Sequence, residues 1–272
     1  MIGNGVKAAW VAGRPALNGW LSIASPFGAE VMAAQGFDSL TVDLQHGVID
    51  YAQAVAMFQA MRASGVTPLA RVPWLDPGAI MKVLDAGAYG VICPMVNSRE
   101  EAERLVSYLR YPPKGTRSFG PTRANFSTGG AYYAGANEQI LAFAMIETAA
   151  AMARLEEIVA TPGLDGVYVG PADLTLGMTE GRLPPGFDRE EPEMLAALTR
   201  IAGAARAAGI RAGLHCGSPD YAARAVAMGF DFVTVGNDVR LLAEGAAAIV
   251  ARSRTLLGGA TAARAEAPGL GY

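Results

Sequence analysis

The residues best equipped for chemistry in this chain sit just past short apolar runs. Asp43, Gln45 and His46 follow "SLTV", and Arg71 closes "PLAR". Glu147 closes "LAFAMIE", Ala172 and Asp173 follow "GVYVGP", His215 closes "RAGLH", and Asn237 and Asp238 follow "FVTVG". His46 and His215 are the only 2 histidines. An apolar strand gains nothing from a charge at its end unless that end faces water or a ligand. A solvated rim accounts for one or two such residues, and less well for a histidine, an arginine and two carboxylates together.

The side-chain types divide the labour. Glu147 and Asp173 could hold one divalent cation through oxygen, leaving positions open for substrate, as Mg²⁺ and Mn²⁺ prefer. A paired acid and base is the alternative reading of the same two carboxylates. Arg71 offers a planar fork for an oxyanion. In "GPAD", Pro171 lacks an N–H, so the backbone donors for an anionic substrate are those of Ala172 and Asp173, at a turn or helix start that favours negative charge. Histidine is the side chain suited to moving protons at neutral pH, so His46 is the natural general base, or else a solvated rim histidine. His215, between an apolar run and Cys216, reads as structural or supporting.

These residues need a scaffold that brings strand ends together. The runs "GWLSI", "SLTVDL", "PLARV", "GVICPMV", "LAFAMIE", "GVYVG", "RAGLHC" and "FVTVG" are nearly continuous in apolar residues, as parallel strands buried on both faces are. Helical patterns alternate with them. Over 51–64, Val55, Phe58 and Met61 share a face. Asp76-Pro77 is an N-cap with proline at the first helical position, opening a helix that buries Ile80, Val83 and Leu84 and stops near Gly87. Further helices are expected over 98–109, 149–160, 191–208 and 219–228. Eight strands alternating with helices over roughly 250 residues predict a (β/α)8 TIM barrel, an α/β fold, with its active site at the C-terminal strand ends. An open doubly wound sheet is the alternative, but "SIASPFGAE" after the first run is not a nucleotide loop.

One barrel domain over 1–257 is expected, with 111–135 as a long Gly- and Pro-rich loop of the kind that is often functional and 258–272 as a disordered tail. A net charge of -3 argues against a general nucleic-acid partner. No apolar run reaches membrane-span length, and the start lacks a secretory signal, so the expected place is the cytoplasm. The 2 cysteines, Cys93 and Cys216, form no metal-type cluster and read as reduced thiols. Charged residues make up 17%, against roughly 25% in a typical soluble domain, which points to apolar surface covered by other subunits.

The chain resembles the HpcH/HpaI aldolase family of metal-dependent class II pyruvate aldolases over about residues 19–256. The likeness rests on "GWL", "FDSLTVDLQHG", "ARVPWLDPGAIMKVLDAGAYGVICPMVNSREEAE", "RYPPKGTRSFGP", "MIET" and "DGVYVGPADL", in that order. It implies the barrel fold and a divalent ion (Mg²⁺, Mn²⁺ or Co²⁺). The implied substrates are a small 2-oxo acid and an aldehyde, and the implied assembly is a homohexamer exchanging its last helix. Position by position, it implies His46 as base, Arg71 as the arginine that stabilises the transition state and Asp85 as the partner that raises the basicity of the histidine. It implies Glu147 and Asp173 as metal ligands and Ala172 as a backbone contact to pyruvate. The chain has Gln45 where many members have Glu, and Met145 where many have a substrate-contacting Gln. Asp85 falls in the last turn of a helix, the wrong end for the active face, so it would enter a site from a neighbouring subunit or the helix limits differ. The "LQHG" and "RSFGP" forms look most like members that use pyruvate or hydroxypyruvate as donor. The implied reaction is reversible cleavage of 4-hydroxy-2-oxo acids. No lysine ends any of the last four strands, so a Schiff base lacks its nucleophile. A CoA-thioester lyase of the citramalyl or malyl type, and a non-catalytic 2-oxo-acid-binding barrel, are the rival readings.

Overall fold

The apolar runs close into a ring. In a computed structural model describing residues 3–257, β1 (Ala16–Leu21), β2 (Ser39–Asp43), β3 (Thr67–Arg71), β4 (Gly90–Cys93), β5 (Leu141–Ile146), β6 (Gly166–Val169), β7 (Arg211–His215) and β8 (Phe232–Asn237) form a closed barrel in chain order. Each strand pairs parallel with the next, and β8 returns to β1. This is the expected TIM barrel; the open sheet is excluded. The expected disordered tail from Gly258 lies outside the described residues.

The strands are apolar on both faces because each face is buried. One cluster, including Trp20, Leu69, Ile92, Phe143, Tyr168 and Phe232, fills the barrel interior. A larger one packs the strands against the surrounding helices. Helix ends follow the local signals. Asp76 caps Pro77–Ala86 by accepting from the Ala79 N–H, and Gly87 ends it at φ 113°. Ser98 caps Arg99–Leu109, and Ser218 caps Pro219–Met228.

Two expectations change and one open choice is decided. The helix expected over 149–160 is two short ones, Ala149–Ala153 and Leu155–Val159. Of the turn and helix start that "GPAD" allows, the structure has the helix start: β6 stops at Val169, and Ala172 and Asp173 lie in the first turn of the helix Pro171–Thr179. The segment 111–135 is not one open loop. It holds the helix Thr122–Ser127 and the start of Tyr132–Gln139. It leads into β5, at the N-terminal end of the barrel, away from its own chain's strand ends.

The interior aromatics set much of the stability. Phe143 is fully buried, stacked on Phe232 at 5.1 Å and edge-on to Trp10 at 6.3 Å. Phe143→Ala is expected to cost about 3–5 kcal/mol in urea unfolding. A loss below about 1 kcal/mol would mean that the interior repacks freely.

Candidate active site

β2 and β3 lie side by side with Asp43 opposite Arg71 in register. The two side chains meet as a buried bidentate pair, Nε to Oδ1 at 2.9 Å and Nη2 to Oδ2 at 2.6 Å. Asp43 does more than pair. Its Oδ2 accepts from Trp20 Nε1 at 3.2 Å, and its Oδ1 accepts from the backbone N–H groups of Gln45 and His46 at 3.0 and 3.2 Å. One carboxylate thus fixes the guanidinium, a ring of the barrel interior and the loop that carries His46. Gly47 follows because any Cβ there would lie 2.3 Å from the Asp43 carbonyl oxygen. Burial opposes the charge on Asp43, but its hydrogen bonds and ion pair with Arg71 prevail and hold its carboxyl below the usual range. The Arg71 guanidinium also lies 4.9 Å from the Trp20 ring centre.

Arg71 lines a cleft with Met145, Gly170, Pro171, Ala172, Asp173, Phe187 and His215. Glu147 stands beside it just past β5, with Oε1 accepting from the Met95 N–H at 2.7 Å. Its Oε2 occupies the space that a side chain on Gly170 would take, for a Cβ there would lie 2.6 Å away. Burial, with the Asp173 carboxylate adding to it, pushes the Glu147 carboxyl up to about 7. A carboxylate kept dry next to another carboxylate is the electrostatic situation that a bound cation relieves. The donors are all hard oxygens, and among the described residues no third His, Cys, Asp or Glu joins them in a cluster. This fits a cation with most of its positions left to small ligands.

The helix Pro171–Thr179 adds the backbone. The Ala172 and Asp173 N–H groups belong to its first turn, where no intrahelical acceptor exists for them. The other wall is Phe187, stacked on His215 at 4.7 Å. Asp188 braces that wall, accepting from the Gly217 N–H at 2.6 Å and the Ser218 hydroxyl at 2.7 Å. His215 is buried, edge-on to Trp20, and held well below the usual histidine range, at about 3, chiefly by burial.

The sequence-predicted residues therefore divide. Arg71, Glu147, Ala172, Asp173 and His215 converge on one cleft. His46 stands exposed on the neighbouring loop, tied by its backbone to Asp43. Asp85 does not join them within the chain. It lies in the last turn of Pro77–Ala86, ahead of β4, and binds Arg117 Nη2 at 2.6 Å. Asn237 and Asp238 have structural work. Asn237 caps the helix Asp238–Leu256, and Asp238 accepts from the Ser22 and Ile23 N–H groups. Sequence reasoning assigned no role to Asp43, Trp20 or Phe187. For Asp43 the signal existed, a carboxylate opposite an arginine in adjoining strands, but only register reveals it. The lysines, Lys7, Lys82 and Lys114, are engaged elsewhere: with Asp165, over the Tyr51 ring and with Glu138.

Comparison with known proteins assigns the chain to a family. The pattern of the HpcH/HpaI aldolase/citrate lyase family covers residues 18–245. The chain belongs to that family. It is thereby an aldolase, a carbon–carbon lyase. It is 44% identical over 253 residues to the hydroxypyruvate/pyruvate aldolase of Rhizorhabdus wittichii, covering 93% of this chain and 100% of that one. It is 36% identical to the 4-hydroxy-2-oxo-heptane-1,7-dioate aldolase of Salmonella dublin, over 92% of this chain and 94% of the other. A HpcH/HpaI aldolase/citrate lyase family protein of Burkholderia cenocepacia superposes with TM-score 0.84 at 28% identity, over 92% of this chain and 99% of that one.

Because Asp43 and Arg71 are buried together, removing either strands the other. Asp43→Ala and Arg71→Ala are each expected to cost about 3–5 kcal/mol, with the double variant costing clearly less than their sum. Additive losses in urea unfolding would show that the pair is not coupled.

Proposed function

We propose that the chain is a divalent-metal-dependent aldolase that reversibly cleaves 4-hydroxy-2-oxo acids to pyruvate or hydroxypyruvate and an aldehyde. The observation that carries this reading is the cleft itself: Arg71, locked by Asp43, faces two carboxylates, Glu147 and Asp173, where no described lysine lies. The two carboxylates would hold the ion (Mg²⁺, Mn²⁺ or Co²⁺). Bound there, it would supply positive charge to the carboxylate and keto oxygens of the 2-oxo acid.

The chain's own groups perform the rest. The Ala172 and Asp173 amides receive the substrate carboxylate at the helix start. His46, directly or through a water, takes the proton of the C4 hydroxyl. The C3–C4 bond then breaks, the aldehyde departs and the electron pair passes to the oxygen at C2. Arg71 spends Nε and Nη2 on Asp43, which leaves Nη1 for that developing oxyanion. A charge fixed beforehand by Asp43 needs no reorganisation as the oxyanion forms. A proton returned to C3 completes the oxo acid.

Assembly enters the proposal at Asp85. Within one chain it and His46 sit at opposite ends of the barrel, so Asp85 can support the base only from a second subunit. The helix Asp238–Leu256 supports association, for it buries none of its residues and exposes Leu241, Leu242, Ile249 and Val250. A homohexamer is the assembly we assign. No described helix is long and apolar enough to cross a membrane. The buried free thiols Cys93 and Cys216 suit a reduced, cytoplasmic setting.

Two measurements test this reading. Exchange of the C3 protons of pyruvate, followed by NMR in D₂O, isolates enolate formation. His46→Ala is expected to slow it roughly 10²–10⁴-fold, Arg71→Ala to damage both rate and pyruvate affinity, and His215→Ala to be much milder. Parent-rate exchange in His46→Ala would remove His46 as base. The second measurement is Mn²⁺ affinity against pH. Glu147 keeps its proton up to about 7 in the metal-free fold, above its ordinary 4.5. Its contribution to stability is therefore full below pH 4.5 and lost as pH rises through about 7, where a cation restores it. Affinity should rise about tenfold between pH 6 and pH 8, since binding displaces one proton. Glu147→Gln should flatten that dependence while weakening binding. Equal affinity at both pH values would dismiss Glu147 as the titrating ligand.

A further inference from the structure

A continuous chain of hydrogen bonds crosses the barrel interior and ends on His215. The Ser39 and Thr41 hydroxyls donate to Asn18 Oδ1 at 2.8 and 3.1 Å. The other end of that amide, Asn18 Nδ2, donates to Thr234 Oγ1 at 2.9 Å. Thr234 Oγ1 is 2.6 Å from the Tyr168 hydroxyl, which is 3.2 Å from His215 Nδ1. Asn18, Ser39, Thr41, Tyr168 and Thr234 are all fully buried, so each polar hydrogen needs an acceptor within the protein.

Counting protons fixes the direction. Thr234 Oγ1 accepts from Asn18, and among the described residues its own proton has one place to go, the Tyr168 oxygen. The Tyr168 proton must then go to His215 Nδ1. Burial raises the Tyr168 hydroxyl above its ordinary value, so that proton stays in place. An imidazole accepting at Nδ1 carries its own proton on Nε2. The ring lines the cleft between the Phe187 face and the Trp20 edge.

From this order of hydrogen bonds we infer that His215 is a substrate-positioning residue, a fixed neutral Nε2–H donor that selects a 2-oxo acid bearing a hydroxyl at C3 over one with a bare methyl. The inference rests on the aldolase reading above and names its preferred donor class. Burial first and the Arg71 cation second keep the ring uncharged. The anionic oxygens of the substrate are served by Arg71 and the helix amides. A neutral donor beside them matches an uncharged oxygen, and a C3 hydroxyl supplies one. Against a methyl group the same N–H loses its partner, which is how a polar site rejects the analogue lacking a hydroxyl.

The test starts with the unaltered protein. Two-bond ¹H–¹⁵N correlation spectra report which nitrogen of a histidine carries the proton. With 2 histidines in the chain, His46→Ala assigns the signals. The expected result is an Nε2–H tautomer for His215, whose proton shifts on adding hydroxypyruvate with Mg²⁺ and not on adding pyruvate with Mg²⁺. In kinetics, His215→Leu should lower the kcat/KM ratio of the hydroxypyruvate-derived over the pyruvate-derived aldol by about tenfold. His215→Gln, which keeps an amide donor, should recover part of it. Tyr168→Phe, which cuts the chain without touching the cleft donor itself, should release the tautomer preference. An Nδ1–H tautomer would reverse the whole chain, with the Asn18 amide turned over, and overturn the inference. Equal shifts with both acids, or an unchanged ratio in His215→Leu, would do the same. Absence of turnover with either aldol in the unaltered enzyme would count against the aldolase reading instead, a result separable from the tautomer.

Discussion

The site depends on a single carboxylate. Asp43, buried at the end of β2, is the common acceptor for the Arg71 guanidinium, the Trp20 indole and the backbone of the loop that presents His46. A lone buried charge would be costly. Here the pair neutralises itself, and its remaining lone pairs are filled. The benefit is placement more than stability, because a buried ion pair is often no more stable than apolar residues of the same volume. Arg71 is thereby aimed with one edge spent and one edge left, and His46 is attached to the same anchor through its own N–H.

Around that anchor, the barrel arranges opposing electrostatics at short range. From β3 comes the fixed Arg71 guanidinium; from the neighbouring ends of β5 and β6 come Glu147, whose carboxyl is raised by burial and by Asp173, and the helix start beside it. The absence of a side chain at Gly170 gives Glu147 its room. The floor is an aromatic and hydroxyl interior, where Trp20, Tyr168 and His215 touch one another and connect the cleft to the middle of the barrel. A substitution deep in the barrel can therefore alter the cleft without altering any residue that lines it.

The sequence made the strands legible because parallel barrel strands are apolar on both faces, and each of the eight apolar runs corresponds to a strand of the ring. It made Arg71 and Glu147 legible because a charge just past such a run has few explanations. It did not reveal the Asp43–Arg71 pair, which is set by the alignment of two strands distant in sequence. At Ala172 and Asp173 the sequence left a turn and a helix start open, because Pro171 suits either a turn or the first helical position, and the fold has the helix start. Phe187 has no periodic neighbour to mark it, and its place is set by Asp188 contacts across the fold. The segment 111–135 read as open loop because its glycines and prolines hide two short helices. The helix position of Asp85 was read correctly, and its partner Arg117 could come only from the fold.

The central claim is that Arg71 and a cation held by Glu147 and Asp173 act together on the oxo acid. Cleavage of a 4-hydroxy-2-oxo acid by the purified protein, assayed as pyruvate release after exhaustive chelation and again after adding back Mg²⁺ or Mn²⁺, tests it most directly. The account predicts that turnover disappears on chelation and returns with the ion, and that borohydride added during turnover leaves no substrate attached to the chain. Full turnover in the chelated protein, or a borohydride-trapped adduct on a lysine, would contradict it.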